Sequence, residues 1–164
     1  MIYSLSNMSS LVEIAQTVGR VFDTALVLFG GHEQWKGRAG SYFCLADPKW
    51  GNPFAVLAVG DVPYEKYEKY LALSIEKAGR LARHLGEHFS SWQSRNPQKD
   101  HWGGAVKGNY VYSMSGLPEL GDEAVMLVVL RIIQPESGSL CSGIAKLSGN
   151  WYYEPLLKAI RQNS

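Results

Sequence analysis

The chain has 164 residues, sixteen basic against fifteen acidic, with two cysteines. That length fits one domain able to bury roughly 70% of its unfolded surface. The near-neutral balance offers no net field to nucleic acid or an acidic membrane, and two cysteines are too few for a disulfide framework. No apolar run reaches the ~20 residues of a membrane span, and residues 1–10 lack a basic start and an apolar signal core, so a cytoplasmic protein is expected.

Ser10 and Glu13 have capping-box spacing, and Leu11, Ile14, Ala15, Val18, Val21 and Phe22 follow at helical intervals, which predicts a first helix over residues 10–23. Residues 25–29 are a short apolar run closed by Gly30 and Gly31, read as a buried strand, and residues 32–40 as a polar loop. Residues 41–47 and 54–60 are predicted to form a hairpin, because Asp47, Pro48, Gly51, Asn52 and Pro53 between them are turn formers. A long helix is expected from Pro63 onward, with Tyr67, Leu71, Ile75, Ala78, Ala82, Leu85 and Phe89 along one face. Residues 90–102 show no periodicity and read as a connection over a pocket, in the manner of a lid.

Residues 103–125 are the most informative stretch. Gly103 and Gly104 lead into a hairpin with a turn at Lys107, Gly108 and Asn109, and residues 110–114 are aromatic and β-branched enough to return as a strand. Pro118, followed by Glu119, Asp122 and Glu123, marks a helix start near Leu117, since acids in a first turn face the positive end of the helix dipole. The apolar run up to Ile133 predicts a helix buried on more than one side. Residues 137–150 read as a Gly/Ser-rich loop with a short strand, and residues 151–161 as a terminal helix docked through Trp151, Leu156, Leu157 and Ile160. The order of elements, with strands that pair locally, favours a single α+β domain over 1–164.

A Gly-Gly-led hairpin ending in Ser115-Gly116, followed by Pro118-Glu119 and Asp122-Glu123-Ala124, resembles the GlcG/HbpS-like family of haem-binding (haem-degrading) domains, also found fused to cobalamin adenosyltransferases of the PduO type. The likeness extends to Ala46-Asp47-Pro48 with its following turn and strand, and to Lys77-Ala78 in the long helix, covering residues 41–130. It departs from the family pattern in a longer first hairpin turn bearing Trp50, in Met114 before Ser115, and in a C-terminal extension over 134–164. The resemblance implies a profilin-like antiparallel sheet with flanking helices, haem or another tetrapyrrole as ligand class, and a homo-oligomer.

Chemistry-bearing residues are scattered. His84 and His88 are four apart, with His32 or His101 as further donors; the flanking Leu81 and Leu85 favour ordinary helix-surface histidines over a metal site, while one histidine as a haem axial ligand stays open. Ser115 lacks nucleophile-elbow spacing, Cys44 lacks a neighbouring base, and Glu119, Asp122 and Glu123 read first as solvated helix-start acids. A small-molecule pocket between the long helix and the second hairpin, lined by His101, Trp102, Gly104, Ser115, Gly116 and Glu119, is the leading reading. A non-catalytic oligomeric assembly or sensor protein is the alternative, and a small acid/base enzyme using Glu119 with His101 is the third, so whether the chain is an enzyme stays open.

Overall fold

The computed structural model describes residues 5–84 and 88–164. Helix α1, Leu5–Phe29, leads into strands β1, Gly40–Ala46, and β2, Pro53–Gly60, and then helix α2, Tyr67–Arg83. Strands β3, Ala105–Lys107, and β4, Val111–Ser115, precede helices α3, Glu119–Ile133, α4, Gly138–Ser148, and α5, Tyr153–Gln162. The four strands form one antiparallel sheet in the order β2-β1-β4-β3. An α+β fold built on an antiparallel sheet with flanking helices is thus what the chain adopts.

The sheet divides two unequal cores, and β1 shows how. Phe43 and Leu45 point to the side of α1 and α3, joining Val21, Phe22, Tyr112, Met114 and most of α3 in the large core. Cys44 and Ala46 point the other way, against Ala78, Leu81 and Ala82 of α2. Small side chains on that second face let α2 lie close to the sheet. The turn after β1 abuts it too, since a Cβ on Gly51 would lie 2.6 Å from the Gly79 Cα. Helix α3 is buried from Gly121 to Leu130, sandwiched between the sheet and the outer helices α4 and α5. Fully buried residues such as Leu127 and Leu130 each contribute roughly 1.5–3 kcal/mol at most, because denatured chains already shelter part of this surface.

Four elements differ from the sequence reading. Residues 25–29 are no strand: α1 runs on to Phe29, and Ser10 lies inside it. Ala25 and Phe29 continue the four-residue spacing of Val18, Val21 and Phe22, whereas Val27 is 88% exposed, which no buried strand would allow. The expected loop over 137–150 is helix α4, anchored on α3 by Cys141, Ile144 and Ala145. Helix α2 stops at Arg83, where His84 is extended (ψ 108), so His84, His88 and Phe89 lie outside it; Leu85 falls outside the described residues. The terminal helix docks through Tyr152, Tyr153, Leu156, Leu157 and Ile160, while Trp151 stays half exposed.

Candidate functional site

A cavity of about 480 Å³ opens between α2 and the corner that joins β4 to α3. Its volume lies within the ~300–1,000 Å³ usual for small-molecule sites. Lys66, Lys69, Tyr70, Leu73 and Lys77 line it from α2 and the turn before it, Ser115 to Glu119 and Asp122 from the corner, Lys36 and Arg38 from the segment before β1, and Trp102 from the connection into β3.

The floor is a buried ion pair. Lys77 Nζ lies 3.3 Å from Asp122 Oδ2, with both side chains only 2% exposed, and donates to the Met114 carbonyl at 2.8 Å. Asp122 Oδ1 accepts the Leu117 N–H at 3.0 Å, so one carboxylate fastens α2 to the corner and fixes the corner's own backbone. Burial lifts the Asp122 carboxyl to about 6, even though the Lys77 ammonium and the Leu117 N–H both act to lower it. Gly104 makes the pair fit: at φ 121 a Cβ there would lie 2.9 Å from Lys77 Nζ and from the Asp122 Cβ. Gly116, at φ 150, likewise has no room for a Cβ against the Ser41 hydroxyl and Gly40 carbonyl.

The rim is cationic. Arg38 donates to the Gly116 carbonyl at 3.1 Å and to the Tyr70 hydroxyl at 3.3 Å, which holds the guanidinium at the mouth. Among the described residues Lys36 pairs only with exposed Glu33, and Lys66 and Lys69 have no acidic partner. Of the three acids lining the cavity, Asp122 is neutralised by Lys77 and Glu119 by Arg95, whose Nε lies 2.8 Å and 2.9 Å from its two oxygens, which leaves Glu65 alone against Arg38, Lys66 and Lys69. The site therefore carries excess positive charge at its mouth.

Trp102 is held on both sides. The Arg95 guanidinium stacks over its ring at 5.5 Å and over Trp92 at 5.0 Å. Arg80 donates to the Trp102 carbonyl at 2.6 Å and to the Ser91 and Ser94 carbonyls at 3.0 Å and 3.2 Å, and pairs with Glu76 at 2.7 Å. The connection over residues 90–102, read from sequence as a lid, thus contains two 3-10 turns and is fastened to α2 by Arg80.

Of the residues expected to line a pocket, Trp102, Ser115, Gly116 and Glu119 do so, and Gly104 lies beneath the floor pair. His101 turns elsewhere, with Nε2 3.6 Å from Glu76 Oε1, while Glu119 is engaged by Arg95 and the Gly103 N–H. Glu119 and His101 thus take their ion-pair contacts from different partners. The rings of His84 and His88 stack 3.6 Å apart beyond the end of α2, and His88 titrates below the usual histidine range because of partial burial and its neighbour. Among the described residues no group of three or more His, Cys, Asp or Glu side chains converges as a metal site.

The reading of solvated helix-start acids fails for two of the three. Asp122 is 2% exposed and Glu123 is fully buried. Glu123 accepts from the Ser90 hydroxyl at 2.6 Å, from Asn150 Nδ2 at 3.0 Å and from the Ser148 hydroxyl, tying α3 to α4 and to the connection before β3. Burial raises its carboxyl above the usual range despite those donors. Lys77, Arg80 and Arg38 were the residues sequence reasoning missed. Beyond the Lys77-Ala78 likeness, the signal available was a lysine on the helix face that carries Tyr70, Ser74, Ala78 and Leu81.

The chain has no match among known family profiles, curated proteins or solved structures.

Proposed function

We propose that this domain is a small-molecule-binding module whose ligand is a flat, carboxylate-bearing molecule, held in the cleft between α2 and the β4–α3 corner. The observation that carries the reading is the juxtaposition of Arg38 with Lys66 and Lys69, which have no acidic partner among the described residues, in a cleft that Trp102 also lines. An anionic group at the mouth would receive charge-assisted hydrogen bonds, each contributing about 1.5–3 kcal/mol. A planar ring would lie against Trp102 with Leu73, Leu117 and Pro118 as apolar walls.

Haem or another tetrapyrrole is the ligand class implied by the resemblance to GlcG/HbpS-like domains, and its two propionates suit the cationic mouth. The lining does not fit a histidine-held iron. Among the described residues no His, Cys or Met lines the cavity, and the one lining side chain of a type that holds haem iron is Tyr70, whose hydroxyl is engaged by Arg38. The porphyrin carboxylates, rather than the metal, are therefore what the side chains address. A homo-oligomer in a reducing, cytoplasmic setting belongs to the same reading, and two free, buried cysteines suit that compartment.

Titrating metal-free protoporphyrin IX while following tryptophan fluorescence tests this directly. The expected result is saturable quenching at one porphyrin per chain, weakened at least about tenfold by Arg38→Met or by esterifying both propionates. Equal affinity for acid and ester would remove the anionic reading, and failure of the acid to bind would remove the tetrapyrrole class.

A further inference from the structure

The sheet has two edges, and they are treated differently. At the β3 edge the strand is three residues long and already covered, since Val106 bridges to Ser90 and the Lys107 N–H donates to the Phe89 carbonyl at 2.8 Å. At the other edge β2 is eight residues long, and among the described residues only β1 pairs with it.

Edge strands in monomeric proteins are usually blunted by charge, internal proline or a bulge, because their free N–H and C=O groups are a template for another strand. Strand β2, Pro-Phe-Ala-Val-Leu-Ala-Val-Gly, carries no charge at all. Its proline is the first residue, and the register shift with β1 falls at that same end. Among the described residues no charge, internal proline or bulge protects it from Val56 to Val59.

Which groups are free follows from the register. The Asp61 N–H donates to the Ala39 carbonyl at 2.8 Å, so the odd residues Leu57 and Val59 turn their backbone groups to β1 through their partners Phe43 and Ser41. The even residues Val56 and Ala58 turn theirs outward. The same strand presents apolar side chains on both faces. Leu57 is 39% exposed on the α1 side, and Val56 and Ala58, opposite Cys44 and Tyr42, face the α2 side.

Helix α2 packs mainly on β1, β4 and β3, and of β2 only Val56 joins the small core beneath it. Tyr64 in the turn before α2 and Tyr67, Leu71 and Ile75 on α2 are exposed by 90%, 42%, 36% and 37%, and the Tyr67 ring meets Tyr42 of β1 at 5.7 Å. The Tyr67–Tyr42 contact ties this shoulder, which also carries Glu65 and Glu68, to the strand beside the uncharged edge.

We propose that two copies of this chain join β2 to β2 in antiparallel fashion, forming one eight-stranded sheet about a two-fold axis at Leu57. An antiparallel edge is complementary to itself, as an isologous interface requires. In this register Val56 pairs with Ala58 of the second copy and Ala58 with its Val56, giving four new backbone hydrogen bonds. The two Leu57 side chains meet at the axis, and the two α2 shoulders approach across it. With ~200 Å² for an aromatic side chain, Tyr64 and Tyr67 alone expose roughly 260 Å² per chain, a third of the ~800 Å² a side that a stable interface needs. The strand and the aliphatic shoulder supply more. Because the β3 edges are covered, assembly through the sheet stops at two. Nothing in this pairing depends on what the cleft binds.

Sedimentation equilibrium of the intact chain, with residue-level amide exchange, tests it. The expected mass is twice 18.2 kDa, with slow exchange at Val56 and Ala58, whose amides have no acceptor among the described residues of one chain. Leu57→Lys, which sets two charges face to face, and Ala58→Pro, which removes only an outward N–H, are each expected to weaken the dimer about a hundredfold or more. Leu147→Lys, on α4, is expected to leave it intact. A monomeric wild-type chain would overturn the proposal. So would a dimer that survives both β2 substitutions, or one in which the Val56 and Ala58 amides exchange freely; the exchange readout decides the matter even if a variant fails to fold.

Discussion

Replacing Lys77 by Met keeps an unbranched side chain of similar length and removes the charge. Asp122, 2% exposed, then keeps a carboxylate in the interior with no cation beside it. Breaking a buried pair in this way costs about 3–5 kcal/mol, a large share of the ~5–15 kcal/mol that holds a domain together. For a chain of this size that corresponds to a melting temperature lower by roughly 6–20 °C. Adding Asp122→Asn is expected to recover at least ~1.5 kcal/mol, because an amide carries no charge yet can still accept from the Leu117 N–H. Urea unfolding followed by the fluorescence of the five tryptophans measures both steps. In the single variant the Asp122 carboxyl rises further above its unfolded value. A raised folded pKa favours the native state at low pH, so the deficit shrinks as the pH falls toward about 4. A loss under ~1 kcal/mol, or a double variant no better than the single one, would refute the pair's role as the keystone of the corner.

Gly104→Ala is expected to cost roughly 2–4 kcal/mol, since φ 121 is strained for a side chain and the added methyl would press on Lys77 Nζ and the Met114 carbonyl at 2.9 Å; urea midpoints check it. Arg80→Met releases the Trp102 carbonyl and both serine carbonyls, so limited proteolysis should cut faster within residues 91–102 and protoporphyrin binding should weaken. Glu123 has a raised folded pKa, so its contribution is complete below about pH 4 and is lost as the pH rises through its folded titration. Relative to Glu123→Gln, the wild-type chain should therefore lose stability on going up through that window, as chemical denaturation at several pH values would show. A flat difference would mean that the carboxyl ionises as it does in the unfolded chain.

The strands were legible in the sequence because their punctuation is local. Asp47, Gly51, Asn52 and Pro53 close the first hairpin, and the Asp47 carboxylate caps that turn by accepting from the Lys49, Trp50 and Asn52 N–H groups. Helix α4 was not legible, because Gly138, Ser139, Ser142 and Gly143 give it poor helix propensity and its stability comes from packing on α3. The C-terminal turns of α1 read as a strand because a run of five apolar residues fits either element.

The site was legible in part for the same reason. Trp102, Ser115, Gly116 and Glu119 announce themselves as an irregular joint and a Ser-Gly-Leu-Pro-Glu corner. The charges that give the cavity its character come from three segments: Arg38 before β1, Lys66, Lys69 and Lys77 along α2 and its approach, and Asp122 in α3, 45 residues from Lys77. No local pattern links them. The buried state of Asp122 and Glu123 was equally hidden, since first-turn acids in isolation look solvated and their donors Lys77, Ser90, Ser148 and Asn150 are remote in the chain.

Native mass spectrometry after incubation with equimolar protoporphyrin IX, and in parallel with its dimethyl ester, tests the central claim most directly. It counts ligands and subunits in one spectrum. The account predicts one porphyrin per chain for the free acid, little for the ester, and loss of the adduct in the Arg38→Met, Lys69→Met variant. Equal adducts from acid and ester, or an adduct indifferent to both substitutions, would contradict a cleft that recognises its ligand by carboxylate.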